Sequence, residues 1–160
     1  MTRMSRPLAS ALLLTAALVV LSGCAASDQA PTMDSTAASE RYEPVMAELM
    51  AALDEAYPEV VWSDQGDAGV QADGDGCVLV LGTQRAEPSL WKAAGEDWNA
   101  VAQVVDPVLE GGELEPVTKQ AFEGGWTGVT SRDDNGADFE ISDKSYTLVT
   151  LSVPVTDSSC

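Results

Sequence analysis

The chain of 160 residues has no histidine, eight basic residues against 26 acidic ones, and three cysteines. Each shortage closes a class of function. Without imidazole there is no Ser-His-Asp or Cys-His site and no His-bearing zinc site. A formal charge of −18 repels polyanions. Nucleic-acid affinity rests on Lys and Arg neutralising phosphates, so no nucleic-acid partner is expected, and attraction to anionic headgroups needs the same residues. Net charge of this size chiefly keeps a protein soluble, while leaving cations and basic proteins admissible as partners. Long apolar runs are also missing. The longest, residues 8–20, is Leu/Ala-rich but falls short of the ~20 residues of a spanning helix.

Catalytic motifs are equally scarce. Ser89-Leu90-Trp91-Lys92 has Ser-x-x-Lys spacing, yet the companion motifs of penicillin-binding proteins are missing. The expectation is that Ser89 caps a short helical turn and Lys92 is solvated. Acid pairs occur at Asp73/Asp75, Glu96/Asp97 and Asp133/Asp134. A glycosidase needs two carboxyl groups held apart across a cleft, which neighbouring acids in turns do not supply. Neither acidic loop fits an EF-hand. With Gly76 in the sixth position, Gln71 comes first and Gly82 stands where a bidentate Glu is required; with Asp133 first, Asp138 occupies the glycine position. Weak calcium binding by such a turn stays open, but there is no metal-ligand set, no cofactor motif and no phosphate-binding glycine loop. The four tryptophans suggest a sugar platform. Trp62, Trp98 and Trp126 fall within predicted elements and are expected in the core, whereas Trp91 lies in a connection and is the one expected to be exposed.

What is present begins at the N-terminus. Residues 1–7 carry Arg3 and Arg6 and no acid, an apolar stretch follows, and small residues close it, the three parts of a secretory signal. Its end, Leu21-Ser22-Gly23-Cys24, resembles the lipobox of bacterial lipoproteins. That resemblance implies cleavage between Gly23 and Cys24, a diacylglyceryl thioether on Cys24, and lipid anchoring on the extracytoplasmic face of the cell membrane. Two or more acyl chains give stable anchoring without a transmembrane segment. The alternative is an ordinary signal peptide cut after Ala26, with Cys24 discarded. If Cys24 carries lipid, Cys77 and Cys160 remain as an even pair in an oxidising compartment, where a disulfide between them is expected. Two buried free thiols are the other reading; a catalytic thiol lacks a histidine to activate it.

Residues 24–40, the lipidated cysteine and a small, polar stretch, read as a flexible tether. Residues 41–160 suit a single domain. Helical spacing of Tyr42, Val45, Met46, Leu49 and Leu53 predicts a helix over 41–57, with Pro44 near its first turn. Val60-Val61-Trp62 begins a strand, 64–76 contains a loop, and Cys77-Val78-Leu79-Val80-Leu81 is a central strand. A second helix is predicted over 96–110, shortened or kinked by Pro107 and ended by Gly111-Gly112. Strands follow at 126–130, 137–141 and 146–153, the first two joined by the Asn135-Gly136 hairpin turn and the last halted near Pro154. The order α-β-β-α-β-β-β implies an α+β fold, two helices packed on one face of an antiparallel sheet.

This order with a C-terminal cysteine, together with the Ala/Val/Gly/Asp-rich composition, is similar to small actinobacterial-type secreted lipoproteins, a resemblance that implies no activity. The functional expectation is therefore a membrane-anchored lipoprotein that is not an enzyme and acts as a binding or accessory module, with an envelope protein as candidate partner. The rival expectation is a small carboxylate-dependent envelope hydrolase.

Overall fold

The protein is described by a computed structural model covering residues 31–66 and 68–160. The signal segment, Gly23, Cys24 and most of the tether lie outside the described residues.

Helix α1 (Ser35–Ala56) starts well before 41, so residues 35–40, read as tether, form its first turns. Two carboxylates explain the early start. Asp34 is the N-cap and accepts from the Ala37 amide at 2.9 Å. Asp157, far along the chain, accepts from the amide and hydroxyl of Ser35 at 2.8 and 2.9 Å. Pro44 consequently stands inside the helix rather than in its first turn. The carbonyl it leaves without a donor belongs to Glu40, which is exposed, so water can take that place. Ala38, Tyr42, Val45, Met46, Leu49 and Leu53 form the buried stripe.

Strands β1 (Val61–Gly66) and β2 (Gly69–Asp73) pair in succession with one long strand, β3 (Gly76–Glu87). The segment 64–76 thus holds a strand and a hairpin turn as well as a break. Most side chains of β2 are polar or exposed, so its pairing rests on backbone hydrogen bonds that no apolar alternation announces. The register of β3 against β7 shifts between Val80 and Thr83, and Gly82 supplies the positive φ of 106° that this bulge uses.

After the short helix α2 (Leu90–Ala93), α3 (Trp98–Gly111) is capped by Asp97 and ends at Gly112. Pro107 does not shorten it: the carbonyl it deprives is that of exposed Gln103. Leu109, not Val108, completes its buried stripe with Trp98, Val101 and Val105. Strand β4 (Thr118–Phe122), absent from the predicted order, pairs with β5 (Trp126–Arg132) across a 3₁₀ turn, Glu123–Gly125. Then come β6 (Asp138–Asp143) and β7 (Thr147–Val155). Strand β7 continues through Pro154 because its pairing with β6 ends at Ser152, beyond which that side of the strand needs no amide donor.

The sheet order is β1-β3-β7-β6-β5-β4, with β2 also on β3, and every pairing is antiparallel. Helices α1 and α3 pack against each other, α1 on β3 and β7, α3 on β5. The fold is α+β, with the two long helices covering one sheet face. In register, Val129, Ile141 and Val149 form one fully buried row and Phe139 with Leu151 the next. Among the described residues no helix is long and apolar enough to cross a membrane.

Candidate binding face

Side chains alternate between the two faces of a strand, so burying Val129, Ile141 and Val149 beneath the helices turns their neighbours to the helix-free side. There Thr130, Glu140 and Thr150 stand side by side on β5, β6 and β7. The next row toward the β5–β6 turn is Arg132, Asp138 and Ser152. Two adjoining grooves, of about 380 and 320 Å³, run over this face and share Phe122 and Glu140.

An aromatic group closes one end. Phe122 and Trp126 are cross-strand partners. The Trp126 ring meets Tyr146 edge-on, with centroids 5.2 Å apart and planes at 79°. Over the ring of Tyr146 lies the Arg85 guanidinium, 4.0 Å from the centroid and ion-paired with Glu87. In the groove itself, one Asp138 oxygen receives Arg132 at 3.0 Å while the other is buried with no partner. Glu140 is half-buried and its carboxylate forms no hydrogen bond or ion pair among the described residues. Being two residues apart on β6, these two acids stand on the same face and line the same groove.

The residues singled out from the sequence are dispersed. Cys77 and Cys160 are joined by a disulfide, Cα atoms 5.9 Å apart, that ties the last residue to the start of β3. Ser89 is buried, donates to Asp143 at 2.7 Å and caps the Lys92 amide at 3.3 Å, while the Lys92 side chain is exposed. The Ser-x-x-Lys spacing is therefore a helix cap, and Thr147 completes the cluster by donating to the same Asp143 oxygen. Asp73 and Asp75 lie exposed at the β2–β3 turn. Asp97 caps α3 through the Asn99 amide at 2.9 Å. Asp133 takes the Tyr42 phenol and the amides of Asn135 and Ala137. Burial and the bond to Asp133 push the Tyr42 phenol up to about 12. Among the described residues no group of three or more metal-ligating acids or cysteines forms.

The tryptophans need correction. Trp98 is in the core, but Trp91, expected to be exposed, is half-buried against it, as is Trp62. Trp126, expected inside, lines the open face. The signal for this was available: Trp126 and Val129 are three apart on one strand, which puts them on opposite faces.

The arrangement defines an α+β domain with one helix-covered and one open, grooved sheet face. No protein-family model matches the chain, and no curated protein matches it in sequence. Its fold is similar to that of a crystal structure described as the "putative lipoprotein LppA" of Mycobacterium tuberculosis, with a TM-score of 0.56 and 14% identity over 75% of this chain and 76% of that one. At that identity the likeness is one of fold.

Proposed function

We propose that this protein is a lipoprotein held on the extracytoplasmic face of the cell membrane by a diacylglyceryl group on Cys24, and that it acts without catalysis, as a binding or accessory module of the envelope. The open sheet face is its contact surface. The observation that carries this reading is the grooved face beside the aromatic group, left uncovered by both long helices. The Leu21-Ser22-Gly23-Cys24 pattern and the fold shared with a described lipoprotein support the anchoring.

Polarity along the sheet fits the same reading. Met33, on the side of the chain leading to Cys24, bonds through its carbonyl to the Thr156 amide at 2.9 Å, beyond the end of β7. Trp126 and Tyr146 belong to the opposite end, near the register Thr127, Asp143 and Thr147. The aromatic group therefore lies at the opposite end of the sheet from Met33, the first of these contacts on the Cys24 side of the chain.

Metabolic labelling with a clickable fatty acid tests the anchor. Label and membrane association are expected in the wild-type chain and lost in Cys24→Ala; label retained by the variant refutes the anchor. A photo-crosslinking residue at Thr130 in intact cells tests the face. It should yield one reproducible envelope component, and recovery of none overturns the assignment.

A further inference from the structure

The charge distribution of the open face specifies its occupant more narrowly. Carboxylates of Glu115, Glu123, Asp138 and Glu140 border the two grooves, and the one cation among the lining residues, Arg132, is already paired with Asp138. Glu140 has no partner among the described residues, and one Asp138 oxygen is buried without a donor. The buried Asp138 oxygen is out of a ligand's reach, so Glu140 is the acceptor that a bound N–H donor meets, and a positive charge suits the bordering carboxylates best. The aromatic wall points the same way. Arg85 already shows how this face holds a cation, between the Tyr146 ring and the Glu87 carboxylate. Trp126 and Phe122 offer rings, and Glu140 and Glu123 carboxylates, and no cation is among the residues lining that groove; Lys144 nearby is held by the Gly124 carbonyl at 2.7 Å.

Shape adds length to the requirement. The paired grooves cross from β4 to β7, three strand spacings of roughly 4.8 Å each, long enough for several residues of extended chain at roughly 3.3 Å apiece. We propose that the open face binds a lysine- or arginine-rich extended segment of a partner protein, the basic side chains taken by Glu140 and Glu123 and packed against Trp126 and Phe122. This rests on the reading of the face as the contact surface and names the chemistry of what it contacts.

Fluorescence anisotropy with a dye-labelled oligolysine peptide tests the assignment on the mature chain. Saturable binding is expected, with Glu140→Gln and Trp126→Phe each weakening it about tenfold and threefold respectively. Because the whole chain is acidic, a control belongs on the helix side. Glu43 and Glu48 are exposed on α1, and Glu43→Gln with Glu48→Gln together should change affinity less than twofold. Loss in that control equal to the loss in Glu140→Gln means general attraction to a polyanion and overturns the site. So does equal binding of an uncharged Gly/Ser peptide, or displacement of oligolysine by calcium alone at equal ionic strength. Crosslinking through Thr130 in cells without oligolysine binding overturns the ligand class while leaving the contact surface intact; failure of both overturns the two together.

Discussion

The phenol of Tyr42, in the middle of α1, donates to the carboxylate of Asp133 in the β5–β6 turn. Asp133 also receives the Asn135 and Ala137 amides at 2.8 and 2.9 Å, so one carboxylate both shapes the hairpin turn and fastens it to the helix layer. Removing the hydroxyl leaves a half-buried carboxylate short of a donor. Tyr42→Phe should lose about 1–3 kcal/mol in urea unfolding near neutral pH.

Burial of that phenol, together with the same bond, gives a pH signature. Tyr42 titrates at about 12 instead of 10.0, so folding favours its protonated form. Its contribution is complete below pH 10 and is lost as pH rises from there through about 12. Wild-type stability should therefore fall in that alkaline window more steeply than that of Tyr42→Phe, as followed by unfolding curves at successive pH values.

Reduction of Cys77–Cys160 removes a cross-link between residues 83 apart. The chain-entropy relation puts the loss at about 4.5 kcal/mol as an upper value. The Cys77→Ser/Cys160→Ser double variant should unfold at markedly lower denaturant, and non-reducing mass spectrometry of the wild type should give the mass of the oxidised form, 2 Da below the dithiol.

Asp157 links the end of the chain to the start of α1. Asp157→Ala deprives the Ser35 amide and hydroxyl of their shared partner, at a cost of about 1–2 kcal/mol. Amide exchange should accelerate first over Ser35 to Ala38. Unchanged protection there would mean that Asp34 alone holds the first turn.

Ser89 and Lys92 separate a structural from a catalytic role. Ser89→Ala takes one donor from buried Asp143 and the side-chain cap from α2, about 1–3 kcal/mol, whereas Lys92→Ala should stay within about 0.5 kcal/mol. Equal and large effects of the two on a hydrolytic assay would favour the enzyme reading instead.

Elements whose apolar residues repeat with the period of their own structure were legible. The stripe from Tyr42 to Leu53 and the alternation of Phe139 and Ile141 mark a helix and a strand by themselves, and Asn135-Gly136 marks the turn before β6. Strands β2 and β4 were not legible, because their side chains are largely exposed and their pairing uses backbone groups that every residue carries. The prolines depended on context too: Pro44 is interior because α1 starts earlier than expected, and Pro107 does not shorten α3 because the carbonyl it deprives belongs to an exposed residue.

The chain's own chemistry determined its broad character: acidic, without histidine, and patterned for helices on one side of a sheet. Tertiary structure added a second hold on the start of α1 to the local Asp34 cap, since Asp157 approaches Ser35 from 122 residues away. It also decided that Trp126 lines a groove and that Glu140 stands within it without a partner among the described residues. Local periodicity reports which side of an element is apolar; only the docking of distant elements determines which faces are covered and which carboxylates remain free to meet a partner.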